Sequence, residues 1–222
     1  MNWIQMKLFC HSILAPKGRQ AFIRKVKKNG KVLDLGCGNN SPYLTKLLRP
    51  DIEYWGIDVC DYNNEIGKRY ADHYILSTPQ EFVNAIEALP VKFDAVISSH
   101  NIEHCNNPAG TVDAFCNKIK DGGILYFSFP SEDSVNFPKR EGTLNFYDDK
   151  THIFLPRYKE MVGSLQNNGL EIKFSKRRYH PLILGIIGGV LEPISKRKQK
   201  VFPGTWAYWG FETKIWAKKK VL

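Results

Sequence analysis

The run VLDLGCGNN, residues 32–40, restricts the fold of this chain more than any other stretch. An apolar run carrying an acid breaks into a Gly-x-Gly turn, and a helical pattern follows at 43–48. Strand, flexible turn and helix in that order form the first half of a βαβ unit. The alternation recurs. Short apolar or β-branched runs at 32–35, 54–57, 74–76, 93–98 and 124–129 read as buried strands, and helical periodicity at 80–89 and 111–119 falls between them. A helix over 156–168, stopped by Gly169, leads to a strand at 170–174, and aromatic alternation marks a last strand within 206–216. Repeated βαβ units predict an α/β fold, a doubly wound, mostly parallel seven-stranded sheet with helices on both faces.

With 222 residues, 43% of them hydrophobic, and neither an internal repeat nor a low-complexity linker, one domain over 1–222 is expected. Within it, 1–29 reads as a helical segment, 131–155 as a lid, and 180–205 as an apolar and basic insertion before the last strand. Five cysteines without C-x-x-C or other metal-ligand spacing fit neither a disulfide framework nor a metal centre, so a reducing cytoplasm and no metal are expected. Lys7 and His11 interrupt the apolar stripe of 1–15, unlike the centre of a secretory signal.

In a doubly wound sheet, ligands lie outside the carboxyl ends of the strands, closest to the first strand-to-helix turn. Gly36 and Gly38 lack a Cβ, so the backbone there can turn sharply against a bound molecule. Asp34 sets a carboxylate beside the turn. Asp58 closes the second strand twenty residues after Gly38, the spacing of an acid that accepts hydrogen bonds from ribose hydroxyls. A nucleoside with a further polar group is the ligand these residues suit. A dinucleotide site would need G-x-G-x-x-G, and the last position here is Ser41.

VLDLGCGNN, then YWGIDVC, then FDAVISSHNIEH, in that order and spacing, resemble the class I S-adenosylmethionine-dependent methyltransferases. The resemblance implies a Rossmann-like methyltransferase fold and S-adenosylmethionine as cofactor. By position it assigns Asp34, Gly36, Cys37 and Gly38 to the methionine half, Asp58 to the ribose, and Val59 to the adenine. Ser77 stands where the family often has an acid facing the adenine amine, and Asn40 stands at the family's third glycine. Ser99 and His100 fall near the methionine end.

Methyl transfer is a direct displacement, so positioning matters more than covalent help. A hydroxyl acceptor must lose a proton, and a histidine near neutral pKa is a suitable recipient. SSHNIEHCNNP supplies His100 and His104 as candidates and DDKTHIF supplies His152; the Glu-His pair after strand four borders the acceptor pocket in the resembling small-molecule enzymes, which favours His104. The same pair could instead hydrogen-bond to itself and cap the loop. In the lid, Arg140, Asn145 and Tyr147 are the expected acceptor contacts, Arg140 as a bidentate clamp for a carboxylate or phosphate. GTLNFYDDKTHIF and GTWAYWGFETKIWAKK further resemble bacterial enzymes that tailor surface polysaccharides, implying a small-molecule or glycan acceptor such as a polysaccharide precursor. A protein that keeps this fold to bind cofactor or dock on membrane, without turnover, is the alternative.

The formal net charge of +10 is unevenly placed: residues 1–172 carry 20 Lys/Arg against 20 Asp/Glu, and residues 173–222 carry 12 against 2. Residues 181–191 are apolar and directly precede Lys196, Arg197, Lys198 and Lys200. Eleven residues are too few to cross a bilayer as a helix, which takes about twenty. They suit a hydrophobic lid, a subunit contact, or peripheral docking on the anionic inner membrane surface. No RNA-binding module accompanies the basic residues, so nucleic acid is not expected.

Overall fold

The structure, a computed structural model, describes residues 3–38, 40–60 and 69–221. Seven strands form one sheet: β1 Lys31–Leu35, β2 Glu53–Asp58, β3 His73–Leu76, β4 Phe93–Ser99, β5 Ile119–Pro130, β6 Leu170–Lys176 and β7 Glu212–Lys219. Their order is β3-β2-β1-β4-β5-β7-β6, parallel except for β7, which runs antiparallel to both β5 and β6. The described helices are α1 Trp3–Leu14, α2 Arg19–Ile23, α3 Ser41–Leu48, α4 Phe82–Glu87, α5 Pro108–Asn117, α6 Tyr158–Asn167, α7 Leu182–Lys198 and α8 Thr205–Trp209.

Period-two alternation along the central strands builds a core on each face of the sheet. Leu33, Leu35, Val96, Leu125 and Phe127 point to one side and pack under α4, α5 and α6 with Ile86, Phe115 and Leu165. Val32, Ala95, Ile97 and Tyr126 point to the other, where Phe22 and Ile23 of α2 cover them. Each fully buried Leu, Ile or Phe contributes about 1.5–3 kcal/mol relative to exposure. Strand order reverses between β1 and β4, so the crevice for a ligand opens outside their carboxyl ends.

Two expectations need correction, for the last strand and the 111–119 helix, and the apolar run takes a definite form. The last strand begins at Glu212, because residues 205–209 form α8, bracketed by Gly204 at φ +85° and Gly210 at φ +62°. A Cβ at Gly210 would stand 2.3 Å from His180 Nε2, so the chain reverses there as only glycine allows. The apolar run at 181–191 opens a 17-residue helix, α7, whose Gly188 packs so closely that a Cβ would lie 2.1 Å from the carbonyl oxygen of Gly204. The helix expected over 111–119 stops at Asn117, and Ile119 already pairs with Phe93 as the start of β5.

Residues 131–155 contain two short 3-10 turns, Glu132–Asn136 and Phe146–Asp148, the second closed by an Asn145–Asp148 capping box. Among the described residues, no helix is long and apolar enough to cross a membrane.

Candidate active site

The turn after β1 is pinned from below: the amides of Gly36 and Cys37 both donate to the carbonyl of Ile57 on β2. Gly36 and Gly38 lie at φ +63° and +57°. Gly36 is required by contact, since a Cβ there would fall 2.5 Å from Asn101 Oδ1. Gly38 is required by its backbone alone, because the space its side chain would fill is open. Asn40 has φ −119° and stands at the N-terminus of α3, so that position makes no demand for glycine. Cys37 is buried against Gly56, and burial pushes its thiol pKa up, so only its main chain faces the turn.

Asp58 ends β2 with a carboxylate 2% exposed. One oxygen accepts from Gly38 N at 2.7 Å, and the other from Val59 N at 2.8 Å and Cys60 N at 3.2 Å. A carboxylate offers about four acceptor sites, so room remains for a ligand hydroxyl. Asp34 is equally buried, with Oδ2 taken by Arg19 at 2.6 Å and by the hydroxyl of Tyr54. Arg19, on α2, had no distinguishing signal in the sequence. Its guanidinium also reaches Thr45 Oγ1, and its Nε is buried without a partner.

Between Val59, the segment at 79–84 and the loop after β4 lies a cleft of about 180 Å³, lined by Val59, Gln80, Phe82, Asn101 and His104 among others. The expected adenine contact Val59 lies on this wall. Ser77 sits beside it, its amide on the Asp58 carbonyl and its hydroxyl on the Thr78 carbonyl. Asn101, buried under Gly36, was missed; a polar residue two positions past the end of a buried strand is the signal that could have marked it.

Ser99 pairs its hydroxyl with that of Ser128 at 3.0 Å. Both ring nitrogens of His100, expected near the methionine end, are engaged within the protein: Nδ1 meets Glu103 and Nε2 meets Glu212, each at 3.1 Å. Burial alone would strip its proton, but the two carboxylates outweigh it and raise its pKa to about 9. Its φ of +50° costs about 1 kcal/mol, which these bonds offset. Burial likewise works against ionised Glu212, yet Lys214 and His100 bring its pKa down to about 2. His100, Glu103, Glu212 and Lys214 thus form a partly buried charge network that ties the end of β4 to β7.

His104 is in the 3-10 turn Ile102–His104, and His152 is delivered by the lid. Their ring centroids are 4.9 Å apart. The lid is latched beside them, as the amides of Ile153 and Phe154 donate to the Glu103 carbonyl at 2.9 and 3.1 Å. His152 Nδ1 donates to the Phe146 carbonyl at 2.6 Å. The Thr151 hydroxyl gives its hydrogen to Asp149, so His104 Nδ1 must be the donor toward Thr151, at 3.1 Å to the carbonyl and 3.0 Å to the hydroxyl. In the neutral Nδ1–H tautomer of each ring, the lone pair is on Nε2.

The expected acceptor contacts divide. Arg140 is closed to any acceptor: it is buried and forks onto Glu192 of α7 at 2.6 and 2.8 Å, with Ser195 Oγ at 2.6 Å. Asn145 is spent on the lid itself, donating to the carbonyls of Phe137 and Val135 and capping the turn through Tyr147 N. Tyr147, 62% exposed, faces solvent. A second cavity of about 220 Å³ lies between α1, α7 and α8, lined by His11, Tyr179, Leu184, Trp206, Glu212 and Lys214 among others.

Residues 8–173 match the family model described as a methyltransferase domain. The chain is 27% identical over 171 residues to ubiquinone biosynthesis O-methyltransferase of Colwellia psychrerythraea, covering 70% of this chain and 68% of that protein. It is 26% identical over 159 residues to sterol 24-C-methyltransferase of Candida albicans, covering 68% of this chain but only 42% of that protein's length. A solved S-adenosylmethionine-dependent methyltransferase from Archaeoglobus fulgidus superposes with a TM-score of 0.57 at 21% identity, covering 95% of this chain and 99% of that one. The open cradle at Gly38, the residual acceptor capacity of Asp58 and the flat cleft beside Val59 fit the nucleoside and methionine parts of the cofactor that such proteins use. The chain belongs to the family of methyltransferase domains.

Proposed function

We propose that this protein methylates a small-molecule or glycan acceptor that carries an apolar portion, a lipid-linked polysaccharide precursor being one such molecule. Bound S-adenosylmethionine supplies the methyl group as a sulfonium. The chain's own residues orient and deprotonate. The Gly36–Gly38 turn and Asp58 fix the nucleoside end, and Arg19 holds the Asp34 carboxylate beside that turn. His104, with a lone pair on Nε2 at the cleft wall, accepts the acceptor's proton, and His152 closes over it from the lid. The pairing of these two histidines from body and lid is the observation that carries the reading. Mass spectrometry of purified protein with cofactor and candidate acceptors tests it. A gain of one methyl group on an amphipathic acceptor supports it, whereas transfer only to fully water-soluble acceptors removes the apolar requirement. Methyl transfer to any acceptor removes the alternative of a fold without turnover.

The apolar requirement rests on α1 and α7, which pack against each other and flank the second cavity. Trp3, Met6 and Ile13 of α1 are exposed, as are Leu182, Ile186 and Val190 of α7, spaced by four along one stripe. Lys196, Arg197 and Lys198 occupy the last turn of α7. An apolar face with a basic end suits an anionic membrane surface, each such charge adding about 1 kcal/mol. Sedimentation with acidic vesicles that falls when Lys196, Arg197, Lys198 and Lys200 become Gln supports docking. Indifference to acidic vesicles at low salt excludes it.

A further inference from the structure

The cluster where lid meets body contains acceptors without a matching donor. Glu103, His104 and His152 each place one potential ligand atom within 4.8 Å of the others. Glu103 is fully buried, with Oε1 on His100 and Oε2 without any partner. The two imidazoles have committed their Nδ1 hydrogens to the Thr151 and Phe146 carbonyls. Three potential ligand groups therefore lie together, one of them a buried carboxyl with an orphaned oxygen, and such an orphan costs about 1–3 kcal/mol or more.

We propose that Glu103, His104 and His152 form a binding site for a divalent transition-metal ion of the Zn²⁺ type. The donor set decides the class: two imidazole nitrogens and one carboxylate suit Zn²⁺, Co²⁺ or Fe²⁺, whereas Mg²⁺ and Ca²⁺ prefer all-oxygen shells. Ligand separations around tetrahedral zinc are about 3.3 Å, as bonds of about 2.0–2.1 Å require. The cluster, whose ligand atoms lie within 4.8 Å of one another, must therefore contract by up to about 1.5 Å, a motion within reach of side-chain rotation. The surroundings are already arranged as for ligands. Each ring donates its remote nitrogen to a main-chain carbonyl, and the second oxygen of Glu103 is steadied by His100, the outer-sphere contacts that orient metal ligands. Asp149, with Oδ2 3.9 Å from His152 Nε2, stands near enough to join as a further carboxylate. The ion would bolt the lid to the turn after β4, and its remaining positions would face the acceptor. This last role rests on the methyl-transfer reading, and there the ion would replace His104 as the group that activates the acceptor.

The test uses chelator-treated full-length protein with Cys10 and Cys60, both exposed, changed to Ser so that their thiols do not compete. Zn²⁺ is titrated by calorimetry, Co²⁺ by visible absorption, and S-adenosylmethionine separately. One equivalent bound at micromolar or tighter affinity is expected, with cobalt d–d bands of nitrogen and oxygen coordination. His104→Ala and His152→Ala should each weaken binding by about a hundredfold or more, beyond what most outer-sphere changes cost. Absence of cobalt bands and of saturable zinc heat in the unmutated site overturns the proposal whether or not any variant folds. So does unchanged affinity in a folded His104→Ala/His152→Ala protein. Binding of S-adenosylmethionine without metal overturns the site and leaves methyl transfer standing; binding of metal without S-adenosylmethionine does the reverse.

Discussion

The two ends of the proposed site hold their shape by different means. At the proposed cofactor end, positions are set by the main chain: Gly36 and Cys37 hang on the Ile57 carbonyl, and Asp58 gathers three amides. Around the lid, side chains hold one another across long stretches of sequence, with Arg140 on Glu192 and His100 between Glu103 and Glu212. A main-chain cradle depends on a few glycines and one acid, so it can be kept while most other residues change. A network of paired charges fails when either partner is lost, so it ties its region to one arrangement.

If the two ends are independent, His104→Ala should lower turnover by about 10²–10⁴ and shift cofactor affinity by less than about tenfold. Steady-state kinetics beside cofactor titration would show this. Equal losses in both would mean that His104, which lines the cleft, belongs to the cofactor end.

Arg140→Ala should come next in size. It leaves Glu192 facing a gap and removes the link between lid and α7, at a cost of about 3–5 kcal/mol, read from denaturant unfolding. A loss under about 1 kcal/mol would show that the lid is held by its turns alone.

The smallest effect concerns His100. Its folded pKa, about 9, lies above the ordinary 6.5, so the folded state favours the proton. That stabilisation is complete below pH 6.5 and lost as pH rises toward 9. The decline should be on the order of 2 kcal/mol and absent in His100→Gln. A wild-type stability that stays flat across this window would dissolve the charge network.

The same contrast explains what could be read from sequence. The sheet and the nucleoside end were legible because each signal is local: alternation within one strand, two glycines after it, one acid ending the next. Partners chosen by tertiary packing left no such mark. Glu212 lies 112 residues from His100, and Glu192 lies 52 from Arg140, so nothing in SSHNIEH or PKREG announced that those side chains were already engaged. Residues 206–209 read as strand because their aromatics suggested alternation, yet Gly204 and Gly210 at positive φ confine them to a helical turn. The meeting of Glu103 and His104 with His152 was hidden for the same reason, since cysteine spacing was the only metal signal the sequence could offer.

The central claim is that Asp58 and the glycine turn hold S-adenosylmethionine. Calorimetric titration of the cofactor into wild-type protein and Asp58→Ala tests it most directly, with Asp58→Asn as the variant that keeps the carboxylate's shape. Saturable micromolar binding by the wild type is predicted, weakened about 10- to 100-fold in folded Asp58→Ala, as the loss of hydrogen bonds to a charged acceptor implies. Equal affinity in the two proteins would contradict the account.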